Sequence, residues 1–373
     1  MADALGVRQP TVYAYVSRGV LSRTTTVTAQ GQRISLFDRD EVLALATQRA
    51  RPRAGVIGTL IESDVTELEP RGRLAFRGHD VAELAEIPFE EAAGIVWEQP
   101  WSVHEPIPAA LTKAAEAGLA AGVADPPERI VLALVHAATA DEHRDDLGRD
   151  HVLTVGQTAI RLGVRALAGD PSATERTPIA ESLWHGFTGS TPSPPERAAI
   201  EAALVVLMDH ELAAATLAVR VAASTRADPW SCLLAGLAAL RGPLHGGAST
   251  TSTRMLRRWL DGRILEGPIG AGFGHKVYEA GDPRTDILLD RVAALDPALV
   301  DEVEALAIEV AVRHSVLPNV DLGLAALAIA GGWPAGATEC LFMISRMVGF
   351  TAHLLEEYPH GLRYRPRAVS AGG

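Results

Sequence analysis

Two histidines, one aspartate and one arginine have the types and spacing to do chemistry. His245 follows Gly242-Pro243-Leu244 and precedes Gly246-Gly247, while His275 follows Gly270-Ala271-Gly272-Phe273-Gly274. Glycine and proline there permit turns in which a ligand can approach an imidazole closely. Asp282-Pro283-Arg284 and Asn319-Val320-Asp321 come next. A glycine-flanked histidine alone reads as an ordinary loop residue. Two such loops, followed by a cationic clamp and a lone acid, are harder to dismiss as ordinary loops. Spacing argues against two rival uses. His210, His245 and His275 lie 35 and 30 residues apart, without the short-spaced ligand pair of a metal centre. Gly270 to Gly274 lacks the flanking strand, helix and acidic partner of a dinucleotide loop.

Two further residues are polar in apolar company. Asp209-His210-Glu211 interrupts Leu204-Val-Val-Leu-Met208 and Leu212-Ala-Ala-Ala-Thr216, and polar groups in such a setting need partners. A satisfied buried cluster or a helix break would also produce this pattern. Arg346 sits in Cys340-Leu-Phe-Met-Ile-Ser-Arg-Met-Val-Gly349, and a buried cation left unpaired costs several kcal/mol, so it requires an anion. Glu339, Glu356 or a bound substrate are the alternatives.

Taken together, the segments GPLHGGA, GFGHKVY with DPR, and PNVD resemble the signature segments of the citrate synthase family. The likeness runs from about Gly55 to about Arg367. Arg77-Gly78-His79-Asp80 is similar to that family's YRGY turn, Met208 to Leu212 to its DHEL segment, and Ile344 to His353 to its ARxxGWxAH helix. The resemblance implies His245, His275 and Asp321 as catalytic residues, and His210, Arg284, Arg346 and the tail residue Arg365 as oxaloacetate-binding ones. Arg365 would reach the neighbouring subunit's site in a homodimer. Lys276, Gly272 and Gly274 would serve the acyl-CoA. Several positions depart from the family pattern: Ala213 and Ser249 replace asparagines, Glu279 replaces a basic residue near the CoA phosphates, and Leu322-Gly323-Leu324 replaces an aromatic-rich stretch.

These residues need a large scaffold, and the chain can supply one. It has 373 residues, 47% hydrophobic and 21% charged, enough for two or three domains. Beyond the linker Arg51 to Gly55 the pattern is mainly helical, with helical periodicity in Glu90 to Glu98, Glu128 to Thr139 and Val152 to Leu167. Pro126-Pro127 after Asp125, and Pro194-Pro195 after Ser193, mark helix starts. Val56 to Thr59 and Leu74 to Phe76 read as short strands. The expected fold is mainly α, a two-domain citrate synthase-like helical architecture. Residues 54–245 and 327–373 form its large domain and 246–326 a small domain that closes over substrate.

Residues 1–53 form a separate expectation. Gln9 to Arg18 predicts a short helix, Thr24 to Val27 and Arg33 to Phe37 a hairpin, and Asp38 with Glu41 a capped helix start. The pattern resembles excisionase-like and MerR-like modules, which implies a winged helix-turn-helix. Arg8, Thr11, Tyr13, Ser17, Arg18 and Arg33 are its DNA-contacting candidates. Eight arginines against four acids give this segment a charge of +4; the whole chain is −12, so the remainder carries −16 and would repel a polyanion.

Two cysteines without disulfide or metal spacing, and a start lacking the basic and apolar regions of a signal peptide, make the cytoplasm the expected compartment. No permanently bound cofactor or metal is expected. The reaction implied by the resemblance is a Claisen condensation of acetyl-CoA with oxaloacetate. Propionyl-CoA giving 2-methylcitrate is one alternative, and a DNA-binding regulator that senses these ligands without turnover is another.

Overall fold

The computed structural model describes residues 16, 21–27, 33–39, 60–101, 106–120, 122–168, 177–262 and 271–366. The chain divides into two compact units, residues 1–62 with 366–373, and residues 63–365. In the first unit, β1 (Arg23–Val27) and β2 (Arg33–Phe37) pair antiparallel, with Arg23 opposite Phe37 and Val27 opposite Arg33. This is the expected hairpin. Arg33 begins its second strand, whereas Arg8, Thr11, Tyr13, Ser17 and Arg18 lie outside the described residues, as do Val56 to Thr59.

The second unit opens with a three-stranded antiparallel sheet of β3 (Thr66–Glu69), β4 (Arg73–Phe76) and β5 (His79–Asp80). Arg77 and Gly78 join β4 to β5 with φ of 49° and 80°, the positive pair that a tight primed hairpin turn demands. The rest is helical. In chain order follow α1 (Val81–Leu84), α2 (Phe89–Trp97), α3 (Ala109–Leu119), α4 (Pro126–Ala140) and α5 (Arg149–Ala168). Next are α6 (Ile179–Thr188), α7 (Pro194–Leu207), α8 (Ala214–Ser224), α9 (Pro229–Leu240) and α10 (Ala248–Leu260). The last four are α11 (Pro283–Ala293), α12 (Pro297–His314), α13 (Val320–Ala330) and α14 (Ala337–Glu357).

Local chemistry sets the starts of many of these helices. Ser193 and Glu196 form a reciprocal capping box at α7, and Asp228, Asp282, Asp296 and Asn319 each accept a backbone N–H at the start of α9, α11, α12 and α13. Each such cap contributes about 1 kcal/mol. Asp125 starts α4 at the expected place, ahead of Pro126, without a side-chain cap bond.

α14 is the central pillar. It is buried on every face from Cys340 to Leu354, the signature of a helix surrounded by protein, and it packs against α2, α4, α5, α7, α8 and α9. Gly236 lets α9 approach it closely, since a Cβ there would lie 2.6 Å from the Phe350 ring. The helices drawn from residues 246–326 gather on α13, against which α10, α11 and α12 all pack.

Candidate active site

α14 builds the turn that carries His210. The C-terminal carbonyls of α7 lack helical partners, and α14 supplies them: Ser345 Oγ donates to Leu204 O, Arg346 Nε to Leu207 O at 2.8 Å, and Gly349 N to Met208 O at 3.1 Å. The run from Glu196 to Arg220 is thus two helices, α7 and α8, separated at Asp209-His210-Glu211, with Glu211 at a φ of 54°. Arg346 is fully buried, and its Nη1 and Nη2 have no partner among the described residues. Its guanidinium lies 4.8 Å from the centroid of the Phe342 ring. Burial lowers its pKa to about 10, with Asp209 opposing and Arg284 reinforcing that shift, so it remains a cation at neutral pH. Neither structural alternative for its anion holds, because Glu339 pairs with Arg241 and Glu356 with Arg220.

The loops bearing His275 and Asp321 are stitched together. Gly274 N donates to Leu317 O at 2.8 Å, Asn319 N to Gly272 O at 3.0 Å, and Asn319 Nδ2 to Gly274 O at 2.8 Å. Gly272 has a φ of 87°, and a Cβ there would meet Ser252 Oγ at 2.5 Å, so glycine is required for both conformation and space. His275 Nδ1 accepts from Val277 N at 3.1 Å and Tyr278 N at 3.2 Å, which puts the proton of the neutral ring on Nε2. Burial and the Arg284 charge lower its pKa, against the pull of Asp282.

The three imidazoles converge. The rings of His210 and His275 are 5.0 Å apart, and His210 Nε2 shares a hydrogen bond of 3.1 Å with Tyr278 Oη. Burial, then Arg284, Arg346, His275 and His245, hold His210 well below the ordinary imidazole range. His245 sits in the turn that opens α10, with its N–H on Gly242 O at 2.9 Å and its ring 6.1 Å from that of Phe342. Burial, with Arg346 and Arg284 nearby, lowers its pKa to about 4, and its Nε2 is enclosed without a partner among the described residues. All three rings are therefore neutral at pH 7.

Asp321 lies in the first turn of α13, its N–H held by the Asn319 side chain at 3.0 Å. Its Oδ1 is enclosed and, among the described residues, unpartnered. Burial raises its pKa to about 7, Asp282 adds to that rise and Arg284 opposes it. A carboxyl so placed can take or give a proton near neutrality, close enough to Arg284 and Asp282 to feel both charges.

Arg284 is engaged within the chain as well. Its Nε and Nη2 donate to Asp282 at 2.9 and 2.8 Å, and Nη1 has no hydrogen bond among the described residues. Asp282 can do this because it also caps α11, which brings its carboxylate back over the arginine two residues on. Lys276 is exposed, and Arg365 is exposed with no hydrogen bond or ion pair among the described residues. The structure also brings Tyr278, Asp282 and Phe342 to the site. All three lie inside segments quoted from the sequence, Tyr278 in GFGHKVY, Asp282 in DPR and Phe342 in the run around Arg346, but none is singled out there.

The helical scaffold thus holds neutral imidazoles, a near-neutral carboxyl and a buried guanidinium whose terminal nitrogens have no partner among the described residues, groups able to exchange protons and to hold an anion. Comparison with known proteins makes this more specific. The family described as citrate synthase, C-terminal domain, matches residues 55–367, and the chain belongs to that family. It is 25% identical over 360 residues to a 2-methylcitrate synthase of Mycobacterium tuberculosis, covering 87% of this chain and 92% of the relative. It is 29% identical over 362 residues to a citrate synthase of Haloferax volcanii, covering 86% and 96%. The crystal structure of citrate synthase from Thermotoga maritima superposes with a TM-score of 0.68 at 26% identity, covering 87% of this chain and 96% of that one.

Proposed function

We propose that this chain condenses an acyl-CoA thioester with oxaloacetate, with acetyl-CoA giving citrate. The observation that carries this reading is that the enclosed polar atoms without partners among the described residues include Asp321 Oδ1, His245 Nε2, and Arg346 Nη1 and Nη2. They match a base, an oxygen-directed donor and a carboxylate clamp. Ionised Asp321 removes a proton from the acyl α-carbon, while Nε2–H of neutral His245 supports the negative charge growing on the thioester oxygen. The resulting carbon nucleophile attacks the ketone of oxaloacetate, whose oxygen takes its proton from Nε2–H of His275. Water then cleaves the thioester, releasing CoA as the thiol and leaving the new carboxylate.

A positioned base contributes roughly 10²- to 10⁴-fold, and a donor aimed at the developing oxyanion about 2.7 to 4 kcal/mol. Arg346, His210 and Nη1 of Arg284 hold the oxaloacetate carboxylates. Gly272, Gly274 and Lys276 face the CoA, and closure of residues 246–326 over the large domain excludes water. In a homodimer Arg365 completes the partner subunit's pocket.

Relatives named for both products favour a second acyl group, propionyl-CoA, on the same residues. Release of CoA thiol from acetyl-CoA and from propionyl-CoA, each with oxaloacetate, tests the proposal and ranks the two. No release from either substrate by the folded protein would refute it.

A further inference from the structure

A chain of buried charges runs away from the site behind Arg346. Asp209, beside His210, is fully buried. Its Oδ2 accepts from Thr66 Oγ1 at 2.6 Å, from Glu211 N at 3.0 Å, and faces His353 Nε2 at 3.3 Å. The other oxygen, Oδ1, is enclosed without a partner among the described residues. A Cβ on Gly349 would lie 2.4 Å from that Oδ1, so only glycine at this turn of α14 leaves the carboxylate room. His353 is equally buried. Its Nδ1 receives Arg220 Nε at 2.9 Å and Nη2 at 2.8 Å, with Glu356 Oε2 at 3.8 Å. Arg220, with no exposed surface, is balanced by Glu356 and by Glu357 at 3.1 Å. Glu357 in turn accepts from Arg363 Nη2 at 2.6 Å and Tyr364 Oη at 2.8 Å.

The guanidinium fixes the state of the imidazole. With two Arg220 N–H donors on Nδ1, a proton there would set N–H against N–H beside a cation, so the single ring proton sits on Nε2 and points at Asp209. Asp209 is thereby held by three donors on one oxygen. Burial works against its charge, while the hydrogen bonds from His353 and Thr66 and the Arg346 charge favour the ionised form. Arg346 feels this carboxylate, yet no hydrogen bond joins them, and both terminal nitrogens of Arg346 remain unclaimed among the described residues.

We propose that His353 is a positioning residue for substrate binding: neutral, with Nδ1 on Arg220 and Nε2–H on Asp209, it keeps Asp209 turned from Arg346, so that the arginine stays free for a substrate carboxylate. This rests on the reading of Arg346 as the oxaloacetate clamp. Without the imidazole donor, Asp209 can rotate onto Arg346 and close an internal ion pair that competes with substrate. The loss falls on ground state and transition state alike, so KM rises while kcat holds.

The experiment compares His353→Leu, which can do neither job, with His353→Gln, whose amide can accept from Arg220 and donate to Asp209. His353→Leu is expected to raise the KM for oxaloacetate about tenfold, the equivalent of one hydrogen bond of about 1.4 kcal/mol. The KM for the acyl-CoA and kcat should stay near wild type, and His353→Gln should restore the oxaloacetate KM. A folded His353→Leu protein with wild-type KM, or His353→Gln no better than His353→Leu, overturns the proposal. If His353→Leu does not fold, ¹⁵N NMR of histidine-labelled wild type, assigned with His353→Gln, decides. A pyridine-like Nδ1 and pyrrole-like Nε2 at neutral pH are expected, and an imidazolium or the opposite tautomer refutes the idea. Calorimetric titration of Arg346→Met with oxaloacetate separates the two readings. Undiminished binding there sinks the clamp itself, whereas lost binding alongside an unaffected His353→Leu sinks only the role of His353.

Discussion

Val320 donates its backbone N–H to Asp282 Oδ2 at 3.0 Å, so the carboxylate that grips Arg284 also fixes the first turn of the helix bearing Asp321. One buried acid thus sets the positions of a cation and of the proposed base. Asp282→Ala would leave Arg284 buried and unpaired, a change that costs roughly 3–5 kcal/mol. The expected outcome is a lower denaturant midpoint together with a large fall in kcat/KM. Wild-type kcat/KM in the folded variant would show that Asp321 is placed without it.

Removing the base itself gives a cleaner result. Asp321→Asn changes little volume and is expected to lower CoA release by roughly 10²- to 10⁴-fold. Oxaloacetate affinity, measured by calorimetry, should be nearly unchanged. Turnover near wild type would refute the assignment.

The pH dependence has a defined sign. Asp321, with a pKa raised to about 7, acts only when ionised, so kcat/KM should climb through about pH 7 and level off above it. His245, lowered to about 4, stays neutral over that whole range and adds no limb there. Stability moves the other way for Asp321. Its raised folded-state pKa means the folded protein holds that proton more tightly, so its contribution is complete below the ordinary carboxyl range and is lost as pH rises towards 7. His245 opposes this, since its depressed pKa contributes stability that is complete above the ordinary imidazole value and fades as pH falls towards 4. Unfolding free energies of wild type and Asp321→Asn, compared from about pH 4 to about pH 7, isolate the aspartate. Wild type should lose stability relative to the variant as pH rises, and a constant difference would contradict the shift.

Arg365 supplies a test of subunit sharing. Arg365→Ala should weaken oxaloacetate use, and mixing it with Asp321→Asn should restore activity in hybrid dimers, because one site then carries both native residues. Mixtures that never exceed either parent, with subunit exchange demonstrated, would rule sharing out.

The +4 segment fused to a −16 remainder motivates a further test. Deleting residues 1–53 should leave CoA release intact and abolish duplex binding that weakens steeply with salt as counterions are released. Full-length protein that binds no duplex at low salt, together with a deletion that destroys activity, would make the segment a structural cap.

The catalytic candidates are legible in the sequence because turn chemistry is local: glycines around His245 and His275 and an Asn cap before Asp321 are written in adjacent residues. Helix starts at Pro126 and Pro194 are legible for the same reason. Partner choice is not. Arg284 lies two residues from Asp282 in plain view, yet only the cap geometry of α11 turns that carboxylate back onto it. Tyr278 reads as part of a motif, and its hydroxyl meets a His210 that lies 68 positions away in the chain. Arg220 and His353 are 133 residues apart, and no periodicity in either helix announces that contact.

The double grip of Glu357 on Arg363 and Tyr364 bears on how two copies of this chain would meet. A tail of free backbone would sample a large volume, and every binding event would have to freeze it again, weakening association by the lost entropy. Here the two residues before Arg365 are anchored to the end of the central helix, so that side chain is presented from a preorganised hook with a short reach. In the proposed homodimer its effective concentration at a neighbouring pocket would be set by geometry instead of tether length. Because Glu357 also balances the buried Arg220, the hook is fastened to the same charges that lie beneath the central helix.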